Sequence, residues 1–136
     1  MPSFTGLGNS AKQLFMHSTS DQDVDRFATS HPSVFMTEQW MGSHVYKVGT
    51  PDKFKMFAIL NPGKAHLTLK LSSPETADLL IEAGVASRNV HLPRGGWVML
   101  HLNQLEPSDV ADRISDSYET VAATLPKTVR QKLGIN

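Results

Sequence analysis

A chain of 136 residues, 40% of them hydrophobic, can bury one sizeable core but not two. With no cysteine it has no disulfide framework, no thiolate zinc site and no thiol nucleophile, which fits a reducing compartment. Its thirteen basic and thirteen acidic residues cancel, whereas a dedicated nucleic-acid domain often has a pI above about 9.

Residues 1–19 have weak periodicity and are expected to form an N-terminal arm, with a single domain over residues 20–136. The first segment lacks the charged start and continuous apolar stretch of an export signal, and no apolar run approaches the roughly 18 residues of a membrane span. A cytoplasmic protein with no membrane partner is the expectation.

At "SDQD" a capping serine with an acid three places on opens a helix that buries Val24, Phe27 and Ala28 and stops at His31-Pro32. Residues 43–48, 54–60 and 65–71 read as three successive strands, joined by "TPDK", which suits a type I turn, and "NPGK", which suits a type II turn. "SSPE" starts a second helix with Ala77, Leu80 and Ile81 on its buried stripe, ending at Gly84. The loop "SRNVHLPRGG", with room for a short edge strand, leads to the strand "WVMLHL". A long helix from about residue 107 to 125 places Val110, Ile114, Tyr118 and Val121 on one side, and "KTVRQKLG" adds a short basic turn of helix. The order α-β-β-β-α-β-α with tight turns predicts an α+β domain, an antiparallel sheet with helices packed on one face. Such a sheet leaves its other face available.

The alternation of "AHLTLKL" decides what that other face carries. Leu67, Leu69 and Leu71 point into the core, so His66, Thr68 and Lys70 share the opposite surface. Closing "NPGK" symmetrically pairs Leu60 with Ala65 and puts Ile59 opposite His66, Phe57 opposite Thr68 and Lys55 opposite Lys70. Facing lysines repel unless they splay apart or an anion bridges them. From His44 to Lys70 the lysines Lys47, Lys53, Lys55, Lys64 and Lys70 stand against Asp52 alone, while acids crowd the helices. The strand from Trp97 adds Trp97, Met99 and His101 to the same face. Together with the family resemblance set out below, this charge segregation predicts phosphate contacts from Lys47, Lys55, Lys70 and Arg94, with stacking or polar contacts from His66, Trp97 and His101. The alternatives are a homodimer or protein-interaction face built on Phe57, Ile59, Trp97 and Met99, or cover of that apolar area by Leu14 and Phe15 of the N-terminal arm.

No catalytic constellation emerges. The six histidines show no paired metal-ligand spacing, and His66 and His101, although able to meet across strands, have no carboxylate beside them, so neither metal nor cofactor is expected. "GLGNSAK" lacks a preceding strand and a third glycine, and no G-x-S-x-G elbow is present.

In series, "WMGSHVYKV", "KMFAIL", Leu69-Lys70, "WVML" and "SYETV" resemble the MmcQ/YjbR family of small bacterial domains, over about residues 20–126. The resemblance implies a frataxin-like or secretion-chaperone-like fold and a non-enzymatic DNA-binding role through a "double wing" of strands and hairpin turns. The chain departs from the family pattern at Met41, which separates Trp40 from Gly42, and in its first 19 residues, which look like an extension.

Overall fold

Helix α1 (Asp21–Thr29) starts where its cap is written: the Ser20 hydroxyl accepts from Asp23 N–H at 3.0 Å, and Ser20 N–H donates to the Asp23 carboxylate at 3.1 Å. The structure, a computed structural model, describes residues 18–89 and 96–135. After α1 come β1 (Val34–Glu38), β2 (His44–Gly49), β3 (Phe54–Asn61), β4 (His66–Lys70), α2 (Pro74–Glu82), β5 (Ala86–Arg88), β6 (Trp97–His101), α3 (Pro107–Ala122) and α4 (Lys127–Leu133). The strands form one antiparallel sheet in the order β1-β2-β3-β4-β6-β5. The long helix lies across it, with Val110, Ile114, Tyr118 and Val121 buried as expected. The chain is thus a mixed α+β domain with an antiparallel sheet.

Two strands lie outside the expected order. The unforeseen β1 carries three apolar residues in a row, so no period-2 signal marks it. It forms because all five of its residues pair with β2, from Val34 opposite Val48 to Glu38 opposite His44. The short β5 pairs with β6 at the other edge. Thr19 is buried too, with its N–H on the Leu102 carbonyl and its hydroxyl on that of Leu105, so the docked chain extends ahead of Ser20. The additional Met41 sits in the β1–β2 connection, 74% exposed, with φ of 65°.

The register of the central hairpin differs from the symmetric closure. Leu60 pairs with Leu67 and Asn61 with His66, which leaves a loop of residues 62–65. Lys64 N–H does bond the Asn61 carbonyl across a turn with Gly63 at φ 79°, as a type II turn requires. Type II turns splay the right-twisted strands of a hairpin. Ala65 at φ 57° restores their alignment and shifts the pairing by two residues. A two-residue shift keeps every side chain on its face.

A second irregularity does not. Tyr46 pairs with Ala58, but Lys47 pairs with Met56, so Phe57 is an extra residue in β3. Phe57 and Ala58 therefore both turn inward and are fully buried, Phe57 edge-on to Tyr118 at 5.5 Å between centroids. On the N-terminal side of the bulge every position is inverted. Lys55 now lies on the helix side, and Phe54 and Met56 lie on the other.

Gly49 closes β2 at φ 135°, where a β-carbon would stand 2.2 Å from the Lys53 carbonyl oxygen. Gly49→Ala is therefore expected to destabilise the fold by about 1 to 3 kcal/mol from backbone strain alone, read as a lowered midpoint in denaturant.

Candidate nucleic-acid interface

On the face that the described helices leave uncovered, the register arranges side chains in rows across the strands. One row runs from Phe35 in β1 to Lys47 in β2 and Met56 in β3, and on the same face Lys70 in β4 pairs with Trp97 in β6, just past the point where the β3–β4 pairing ends at Ala58 and Leu69. Phe54, 42% exposed, joins it next to Met56. Its ring meets Phe35 edge-on at 5.6 Å, and Lys47 Nζ lies 4.7 Å from its centroid, a cation–π contact. The next row holds Val45, Ile59, Thr68 and Met99, of which Val45 and Thr68 are buried. Asn89, just past β5, reaches over β6 to donate to the Thr68 hydroxyl at 3.3 Å. A third row holds Asn61, His66 and His101. The two imidazoles meet edge-on at 5.6 Å, His101 Nε2 is 2.8 Å from the Ser87 hydroxyl, and Asn61 accepts from Ser43 at 3.0 Å.

The expected site residues divide accordingly. Lys47, His66, Lys70, Trp97 and His101 share the face, as do Ile59 and Met99. Lys55 does not: its ammonium donates to the carbonyl and hydroxyl of Thr124, at 3.3 and 3.0 Å, just beyond the C-terminus of α3, where a helix favours a cation. The expected Lys55–Lys70 pair is absent, because the bulge turns Lys55 to the other side of the sheet. Phe57 is no part of an interaction surface for the same reason. Arg94 lies outside the described residues. Phe35 and Phe54 were not expected on this face. Phe54 falls on the core side if strict alternation is assumed, and no sequence signal marks the bulge that moves it.

Charge is divided by the sheet. None of the strand positions named on this face is acidic. On the helix side, α1 carries Asp21, Asp23 and Asp25, and α3 carries Asp109, Asp112, Asp116 and Glu119. The β2–β3 turn contributes Asp52 and Lys53, which cancel. The named positions of this face thus carry two lysines and no carboxylate, whereas on the helix side the acids are mixed with cations such as Arg26, Arg113 and Lys55.

The helix side offers a cavity of about 380 Å³ lined by Pro32, Tyr118, Glu119, Ala122, Gly134 and Ile135. Its phenol is already committed, since Tyr118 donates to the Pro32 carbonyl at 2.7 Å. Beside it His31 stacks on Tyr118 at 4.5 Å and sits 3.2 Å from the Ser115 hydroxyl. Burial holds this imidazole below its ordinary value of 6.5, against the opposing pull of Glu119. The unfolded chain then takes up a proton that the folded chain resists, so His31 removes stability as pH falls through about 6.5 and below. His31→Gln is expected to flatten that part of the stability profile, measured as melting temperature between pH 8 and 5 relative to the parent chain. Among the described residues no group of three or more His, Asp or Glu side chains is placed to hold a metal ion, and no helix is long and apolar enough to cross a membrane.

The fold and face define a small α+β domain with one side of its sheet left uncovered by the described helices. The YjbR family model matches residues 29–120, and the chain belongs to that family. A solved structure of a Deinococcus radiodurans protein with a DUF419 domain is similar over 88% of this chain and 91% of its own, with a TM-score of 0.78 and 23% identity. That likeness speaks to the fold alone. No curated protein sequence matches the chain.

Proposed function

We propose that this chain is a non-enzymatic, cytoplasmic DNA-binding protein that uses the side of its sheet opposite the described helices. The observation that carries the reading is the row in which Lys47 and Lys70 alternate with Phe35, Phe54 and Trp97, on a side whose named strand positions include no carboxylate. Lysines bind phosphates through counterion release, and exposed rings accept bases. His66 and His101 extend the polar reach toward the β3–β4 turn.

With Lys55 turned away, the described face supplies two lysines, so the expected salt dependence is shallower than four phosphate contacts would give. Titration of labelled DNA across salt should give a log–log slope of about −1.8 on duplex or −1.4 on a single strand from two contacts, steeper if further cations engage. Absence of binding at low salt would end this reading.

The apolar members Ile59, Met99 and Trp97 favour a second occupant, another copy of the chain or a protein segment. Light scattering over a concentration series, repeated with Trp97→Asp, separates the two. A dimer that dissociates on substitution supports the interaction face, and an unchanged monomer opposes it.

A further inference from the structure

Building on the nucleic-acid reading, we propose that the face takes single-stranded nucleic acid laid across the strands, with Phe54 and Trp97 stacking bases and Lys47 and Lys70, each beside one of these rings, holding phosphates. The first ground is the position of the row. It crosses four inter-strand gaps, about 19 Å at roughly 4.8 Å each. A duplex major groove is about 12 Å wide and admits a helix or a two-stranded ribbon, not the middle of a six-stranded sheet. A surface this broad rests against the outside of a duplex, where base faces are hidden in the stack. An unpaired strand presents those faces directly.

The second ground is Phe54. Phe54 is 42% exposed and shares its face with Phe35 and Lys47, which touch it. The ring is held: Phe35 packs against it at 83° between ring planes, and Lys47 lies 4.7 Å from its centroid. The ammonium lies over one face of the ring, so ring and cation together offer one nucleotide a stacking surface for its base and a partner for its phosphate. At the far end Lys70 and Trp97 are direct cross-strand neighbours and repeat the combination. The adjacent row is sealed at Val45, 8% exposed, and Thr68, 4% exposed, so the path follows the lysine row. A path of about 19 Å at 3.4 Å per stacked nucleotide accommodates four to six nucleotides.

The test uses the full chain with fluorescently labelled oligothymidylates of two to twelve nucleotides and a hairpin duplex, read by anisotropy at low salt. Oligothymidylate should bind more tightly than the duplex, with affinity rising to a length of about six and levelling beyond it. Phe54→Ala should weaken the single-strand complex roughly five- to hundredfold. Phe54→Leu, which keeps apolar contact with Phe35 but lacks the flat ring, should show a similar loss. Duplex binding as tight as or tighter than oligothymidylate, or a Leu variant that binds the single strand like the parent, overturns the inference and leaves the broader DNA-binding reading standing. No binding of either probe overturns both.

Discussion

Ser117→Ala is expected to lower the stability of the fold by about 2 to 4 kcal/mol, because it strips partners from two backbone groups at once. Ser117 is fully buried on the sheet-facing side of α3. Its hydroxyl donates to the Phe57 carbonyl at 2.6 Å and accepts from Lys70 N–H at 2.9 Å. By register, that carbonyl and that amide are where the next rung of the β3–β4 ladder would form beyond Ala58 and Leu69. The bulge parts the two strands there, and the helix hydroxyl takes the place of the missing rung. One residue earlier on the same helix, Asp116 accepts from Ser72 N–H at 2.9 Å, so α3 secures the chain at the end of β4 twice. Equilibrium unfolding in urea measures the loss. A change below about 0.5 kcal/mol would mean that the strands close and bond each other directly once the hydroxyl is gone.

Reversing both lysines of the face, Lys47→Glu with Lys70→Glu, is expected to abolish measurable binding of DNA at moderate salt while leaving the fold intact. Each lysine side chain is only half-buried and neither forms an ion pair among the described residues. The affinity loss follows from two phosphate contacts turned into repulsions. The milder pair Lys47→Gln and Lys70→Gln isolates the electrostatic part, and each neutralised contact should reduce the log–log salt slope by about 0.7 to 0.9. Retention of the parent slope in the double Gln variant would place the DNA contacts elsewhere. Lys55→Gln serves as the contrast: it removes a cation from the end of α3, so it should change stability by a few tenths of a kcal/mol up to about 1 and leave DNA affinity unchanged.

The helices were legible because their signals are local. The Ser20–Asp23 capping box, the proline at the start of α3 and the stripe through Val110, Ile114, Tyr118 and Val121 each act within a few residues. The alternation of β4 and β6 was equally plain, and so were His66, Lys70, Trp97 and His101 on a common face. β1 was not, because an edge strand half-covered on each side needs no alternation, and only pairing with β2 defines it.

The contrast between the two irregularities of β3 marks the boundary between sequence and tertiary structure. The amino acids by themselves determined the α+β class, the antiparallel order of the central strands and which side of β4 meets the core. They also tolerated the wrong hairpin closure, since a slip of two residues preserves every face. Whether Lys55 or Phe54 joins Lys47 on the side opposite the described helices was decided by a single extra residue at Phe57, which inverts the β3 positions before it. That bulge has no local signature. It arises because the Phe57 ring fits beside Tyr46 and Tyr118 in the core while Ser117 bonds the backbone that the bulge leaves unpaired, and those partners lie far away in the sequence.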